Sequence, residues 1–228
     1  EELFQGLQLD HLVLVSLADN MDRLHALFYH LSIFTHRDIL TSEIESGISE
    51  YMEFIALGEA SEWQKPNLSA SDAVCITYSH QGQAIQHSHQ SLINNFNTMD
   101  LWFTDIAGHA IALQKFSNIF GLTNSLLFPL FKGMPNHLLP AIDAKEVAKC
   151  LHRHSYGFSI ARPELLNELI EIVRKKPNNY KSLVHLLCTE SSLALQSKLD
   201  LEQMLDCHIT EVYGLTEMAG ICIANPAK

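Results

Sequence analysis

From residue 143 onward, apolar and polar positions alternate between a helical period and short continuous apolar runs. Asp143 to His154 reads as a helix opened by an aspartate cap. Tyr156 to Ala161 and Leu183 to Cys188 are apolar runs of strand length. The clearest helix lies between them. Pro163 opens it, Leu166, Leu169, Ile170 and Val173 share one face, and Arg174-Lys175-Lys176 stand at the negative end of its dipole before Pro177. Ala194 to Leu205 predicts another helix, and His208 to Val212 the last strand. Strands alternating with such helices imply right-handed crossovers. The expected fold is α/β, with mostly parallel sheets flanked by helices.

The first half is less regular. Leu9 to Leu17 predicts a buried strand. Met21 to Phe34 has helical spacing, with Leu24, Leu27, Phe28 and Leu31 on one face and Asn20 as the cap. Residues 35–57 fit no single pattern. Trp63 to Ser71, with Pro66 and several serines, reads as a loop or hinge. Asp72 to Thr77 predicts a strand, Gln90 to Phe103 a helix, and Ala107 to Leu113 a strand. Phe120 to Phe131 predicts an apolar helix closed by Gly133, and Asn136 to Leu139 a strand. The expected organisation is an N-terminal αβ segment over residues 1–70, belonging to the same domain as an α/β core over 71–228.

Composition narrows the function classes. Hydrophobic residues make up 47% of 228, enough for a buried core. The net charge of −11 disfavours a general basic surface for nucleic acid or anionic lipid. Five cysteines, widely spaced and odd in number, form neither a disulfide framework nor a zinc ribbon, so a reducing, cytoplasmic setting is expected. No apolar run is long enough to span a membrane. The chain opens with Glu1, so it reads as a piece of a longer protein.

Chemistry concentrates at Val212-Tyr213-Gly214-Leu215-Thr216-Glu217. A strand ends here, and Gly214 permits a turn. Tyr213 offers a flat face, Thr216 a hydroxyl and Glu217 a hard oxygen ligand suited to Mg²⁺. Open α/β sheets bind ligands at such strand ends.

Tyr213-Gly214-Leu215-Thr216-Glu217 resembles the Tyr-Gly-x-Thr-Glu motif of the adenylate-forming superfamily, which includes acyl-CoA synthetases, acyl-carrier-protein synthetases and peptide-synthetase adenylation domains. Asp72 to Ser79 resembles the strand entering that family's phosphate loop, and Ile85 to Leu92 the loop's end and following helix. Phe120 to Thr123 and Pro129 to Gly133 resemble the acyl-pocket stretch. Leu186 to Leu193, with Thr189 and Glu190, stands at the adenine segment.

The resemblance implies the large N-terminal domain of an AMP-forming acid–thiol ligase, acting on a fatty-acid-like carboxylate. Such an enzyme makes acyl-AMP from ATP and passes the acyl group to CoA or a carrier protein. It implies that Tyr213 stacks on adenine, Thr216 contacts phosphate and Glu217 holds Mg²⁺. Gly214, Leu215, Thr189, Glu190, Ser79 and Gly82 would complete the ATP/AMP site. It also implies that the ribose aspartate and the lysine of a C-terminal lid lie beyond residue 228, so that these 228 residues alone make no adenylate.

Several motifs depart from the family pattern. The phosphate loop appears here as Ser79 to Ala84, shorter and with a single glycine, Gly82; Gln83 stands at the loop lysine. Without repeated glycines the backbone does not form the same nest of amide donors. Thr189 and Glu190 replace small residues, and Phe116-Ser117 replaces an aromatic–His pair. An alternative is therefore a non-catalytic domain on the same scaffold, serving as a binding or interaction module.

Other candidates have simpler readings. The pairs His87/His89 and His152/His154 could chelate a metal in a strand, but the second pair ends a helix, where cationic histidine suits the dipole, and His89 resembles the structural Ser/Thr-His after the family's phosphate loop. Glu43, Glu45, Glu50 and Glu53 could be a carboxylate pair or a solvated face. Phe120, Leu126, Leu127, Phe128 and Phe131 could be core or acyl-pocket lining.

Overall fold

The computed structural model describes residues 12–33, 48–79, 81–176 and 179–225. It divides into two compact units, Glu1–Asn67 and Leu68–Lys228. In the first, β1 (Leu12–Leu14) pairs in parallel with β2 (Ile48–Glu50). Helices α1 (Arg23–Ile33) and α2 (Tyr51–Glu59) complete it. Asp22, not Asn20, caps α1, its carboxylate accepting from the amides of Leu24 and His25. Leu24, Leu27, Phe28 and Leu31 are exposed rather than buried. A three-residue, two-stranded sheet is too small to cover that face. Glu43 and Glu45 lie outside the described residues, whereas Glu50 and Glu53 are solvent-exposed.

The second unit holds a six-stranded sheet in the order β10-β9-β8-β7-β5-β6. Its strands are β5 (Ala110–Ile111), β6 (Asn136–His137), β7 (Tyr156–Ala161), β8 (Leu183–Cys188), β9 (His208–Leu215) and β10 (Gly220–Ala224). All neighbours pair in parallel except β9 and β10, which are antiparallel. β10 has no counterpart in the pattern-based reading. β5 and β6 are shorter than expected.

Helices cover both faces. α5 (Ala144–Arg153), α6 (Pro163–Val173) and α7 (Leu195–Leu205) bury Val147, Leu151, Leu166, Leu169 and Leu201 against Leu186 and Cys188. Leu187, one residue along β8, instead joins the other core with Phe158, Ile160 and Val212. This two-residue alternation assigns each strand residue to a face. Leu92, Phe96 and Met99 of α3 (His89–Trp102) fill the second core together with Phe128. Asp143 caps α5, accepting from the amides of Lys145 and Glu146.

The expected plain helix over Phe120 to Phe131 is two structures. Gly121–Leu127 is a π-helix, and Phe128–Phe131 a short α-helix, α4. A Cβ on Gly121 would meet the Lys115 carbonyl oxygen at 1.9 Å, so the entry requires glycine. A separate antiparallel hairpin, β3 (Ala73–Tyr78) and β4 (Ala84–Ser88), precedes α3.

Candidate functional site

β9 carries the site. The strand does not turn at Gly214, contrary to the sequence expectation; it runs on to Leu215 and pairs Gly214 with Ile221 and Leu215 with Gly220. Gly214 is required for space instead. A Cβ there would lie 2.1 Å from the Gly220 carbonyl oxygen and 2.8 Å from the Phe120 ring. The reversal follows in a 3-10 turn, Thr216–Met218, and closes with Ala219 at φ 59° and Gly220 at φ 130°.

A cavity of about 500 Å³ opens beside this turn. Tyr213 through Glu217 form one wall. Ser79 and Gln81 come from the β3–β4 turn, Phe120 from the start of the π-helix, and Glu190 from the end of β8. Its location at the carboxyl ends of parallel strands is where such sheets place ligands.

The hairpin turn offers few free donors. The Ser79 amide donates to the Gln83 carbonyl, the Gly82 amide to the Ser79 carbonyl, and the Gln83 amide to Ser79 Oγ. These three N–H groups are taken up within the turn, and Gly82 at φ 77° makes that closure possible. Those three amides are therefore not available to an anion.

Glu190 adopts φ 74°, a left-handed conformation that costs about 1–2 kcal/mol for a residue with a Cβ. Asn118 Nδ2 donates to its Oε1 at 3.4 Å, and the Arg162 guanidinium lies 3.9 Å from Oε2. Glu190 and Glu217 thus place two carboxylates on the cavity, and the described lining residues include no lysine or arginine. Behind Glu217, His87 is buried and hydrogen-bonded to Thr77 Oγ1 at 2.9 Å. Burial lowers its pKa, while the Glu217 charge pulls the other way.

The donors fit Mg²⁺ in one specific way. Among the described residues no three histidine, cysteine or carboxylate groups converge on a point. Mg²⁺ is commonly held by one or two carboxylates, waters and substrate phosphates. Glu217 with the Thr216 hydroxyl beside it suits that shared arrangement, not an all-protein cage.

A family model for the AMP-binding enzyme matches residues 46–228. The chain belongs to the AMP-binding enzyme family. A long-chain-fatty-acid–CoA ligase of Bacillus subtilis is 22% identical over 146 residues, which are 63% of this chain and 26% of the relative. An acyl-CoA synthetase of Brucella canis superposes with TM-score 0.68 at 16% identity, over 87% of this chain and 39% of that one. A benzoate CoA ligase of Burkholderia xenovorans gives TM-score 0.68 at 17% identity, over 99% and 45%. The chain spans about a quarter of the curated relative's length. At these identities the structural likeness shows the adenylate-forming fold.

Most residues singled out from the sequence meet in the cavity of this AMP-binding domain: Tyr213, Gly214, Leu215, Thr216, Glu217, Ser79 and Glu190. Two do not line it. Gly82 shapes the hairpin turn without lining the cavity. Thr189 is fully buried, because its amide extends the β8 pairing to Ala161 and its side chain faces the core. Of the apolar residues considered for an acyl pocket, Phe120 lines the cavity. Phe128 is core, edge-on to Phe158 at 5.4 Å. Phe116 and Ser117 line a different cavity, of about 430 Å³, with Gln114, Leu139 and Ile142.

Gln81, Asn118 and Arg162 were not legible as site residues. Gln81 had a local signal, its place beside the loop's single glycine. Asn118 and Arg162 reach Glu190 only through the fold. Neither histidine pair lies within one strand: His87 belongs to β4 and His89 opens α3, while His152 lies in α5 and His154 caps its end.

Proposed function

We propose that this domain binds the adenylate half of an acid-activating reaction in the cavity between β9, the hairpin turn and Glu190. The observation that supports it is the meeting of Tyr213, Thr216 and Glu217 with Ser79 at the carboxyl ends of the parallel strands. Tyr213, 55% exposed, presents a ring on which adenine stacks. The Thr216 hydroxyl donates to a phosphate oxygen. Glu217 would hold Mg²⁺, which would supply positive charge to offset that on the phosphoryl oxygens.

In the full reaction, the substrate carboxylate attacks the α-phosphorus of ATP, forming acyl-AMP and releasing pyrophosphate. A thiol, of CoA or a carrier protein, then takes the acyl group. The contribution of these residues is to bind and orient, and to balance developing charge. Phe120 forms the apolar wall nearest the site and suits an acyl group. A fatty acid is the favoured acid.

A second reading is a non-catalytic binding module on this scaffold. It draws on the closed hairpin turn and the two carboxylates, which disfavour a triphosphate. A charge-assisted contact contributes about 1.5–3 kcal/mol, and Gln83 at the loop-lysine position supplies none.

Calorimetric titration of the 228-residue chain tests the proposal. A non-hydrolysable acyl-adenylate mimic is expected to bind more tightly than ATP·Mg²⁺, and Glu217→Gln to remove the Mg²⁺-dependent part of ATP binding. Failure of both ligands to bind would refute an adenylate site. Acid-dependent ATP–pyrophosphate exchange distinguishes the two readings: the full-length protein turns over under the first and not under the second.

A further inference from the structure

A second polar cavity, of about 460 Å³, lies at the opposite edge of the same sheet. His109 precedes β5, His137 belongs to β6, and Tyr156 is the first residue of β7; all stand at or near the amino ends of the parallel strands. Arg153 and His154, from the end of α5, close the other side. It shares no lining residue with the Tyr213–Glu217 cavity, and nothing inferred for it depends on the adenylate reading.

The chemistry of this cavity is one-sided. Three imidazoles and a guanidinium surround it, and no carboxylate lines it among the described residues. Arg153 has no ion-pair partner among them either. The chain as a whole carries a net charge of −11, so this concentration of cationic and N–H donor groups runs against its general surface.

The donors are also oriented. The Tyr156 hydroxyl lies 2.6 Å from His137 Nδ1. Burial, with a smaller effect of the neighbouring Cys150, pushes the phenol up to about 12, so it stays protonated. With the phenol as the donor in this bond, Nδ1 accepts and the His137 proton sits on Nε2, where it can be donated to a ligand. Ring packing holds the set, with centroids 5.9 Å apart for His137–Tyr156, 6.2 Å for His137–His154 and 6.4 Å for His154–Tyr156. One feature opposes an anion: the carboxyl end of α5 carries partial negative charge. Its last amide, from His154, already caps the Cys150 carbonyl, and the Arg153 charge exceeds a half-charge dipole end.

A metal cation is a poor occupant. His137 Nδ1 is engaged by Tyr156, and no three metal-capable groups converge among the described residues. We infer that this cavity binds a phosphoryl anion, either free inorganic phosphate or the phosphate end of a small phosphomonoester. Arg153 would supply the bidentate charge-assisted contact, with imidazole N–H groups from His137, His154 and His109 around it. A tetrahedral anion matches donors that arrive from a helix end and two strand ends better than a planar carboxylate does.

The test is histidine-side-chain NMR of the 228-residue chain during titration with inorganic phosphate, glycerol phosphate and, at matched ionic strength, sodium chloride. Saturable shifts of His137 and His154 with a phosphate compound, and not with chloride, are expected, with the His25 and His87 signals unmoved. Arg153→Gln, at an exposed position that the fold does not need, should weaken binding at least about tenfold. Tighter binding of glycerol phosphate identifies a phosphomonoester as the ligand; binding of inorganic phosphate alone identifies the free ion. Linear shifts, equal shifts with chloride, or unchanged affinity in Arg153→Gln would overturn the inference.

Discussion

Gly214 and Gly220 approach so closely across β9 and β10 that a Cβ on Gly214 would stand 2.1 Å from the Gly220 carbonyl oxygen. The contact is backbone on one side, and the Phe120 ring blocks the other at 2.8 Å, so no flexible side chain can yield. Gly214→Ala is expected to destabilise the domain by about 3 kcal/mol, in the upper range for overpacking. Chemical denaturation measures it; a change within about 0.5 kcal/mol, as at an ordinary surface site, would contradict the packing described.

Glu190→Gly removes a left-handed strain of about 1–2 kcal/mol and adds back about 0.5–1 kcal/mol of chain entropy. The expected net effect is a gain in stability of up to about 1.5 kcal/mol. The same change clears one carboxylate from the cavity. ATP·Mg²⁺ should therefore bind more tightly to Glu190→Gly than to the parent chain, measured by calorimetry, and weaker binding would show that Glu190 contributes to the site.

Asp143→Ala removes the cap that serves the Lys145 and Glu146 amides. A loss of about 1 kcal/mol is expected in thermal or denaturant unfolding. Asp143→Asn should retain most of the stability, because the amide oxygen still accepts.

Alkaline pH should destabilise the domain. Burial raises the Cys188 and Cys207 thiols from an ordinary 9.0, and the Tyr156 phenol from 10.0, each to about 12. Between the ordinary and raised values the unfolded chain has released a proton that the folded chain keeps. Stability therefore falls with rising pH, at up to about 1.4 kcal/mol per pH unit for each group, beginning above pH 9 with the thiols and above pH 10 with Tyr156. Unfolding free energies measured from pH 8 to 11 check this; a flat profile would mean the three groups reach solvent in the fold.

The elements nearest the carboxyl end were the most legible. Pro163, the leucine spacing of α6 and the Asp143 cap each specify a boundary through neighbours a few residues away. Leu24, Leu27, Phe28 and Leu31 show the limit of that reasoning. Their spacing correctly marks a helix, yet they are exposed, because the spacing says which residues share a face and not whether anything covers it. Gly214 shows another limit. Glycine signals either a bend or a close approach, and the choice depended on β10, whose pairing became visible only with the turn at Thr216–Met218.

The residue pattern alone determined the α/β class, the alternation of strand and helix after residue 143, and the chemical types at Tyr213, Thr216 and Glu217. Those properties follow from local periodicity and from the side chains themselves. Tertiary structure alone decided that Ser79, Glu190 and Glu217 share one cavity, that Thr189 turns into the core, and that His137 meets Tyr156 at the opposite sheet edge. Such meetings join segments far apart in the chain, and their distances are set by how the two cores pack against the sheet, which no local pattern encodes.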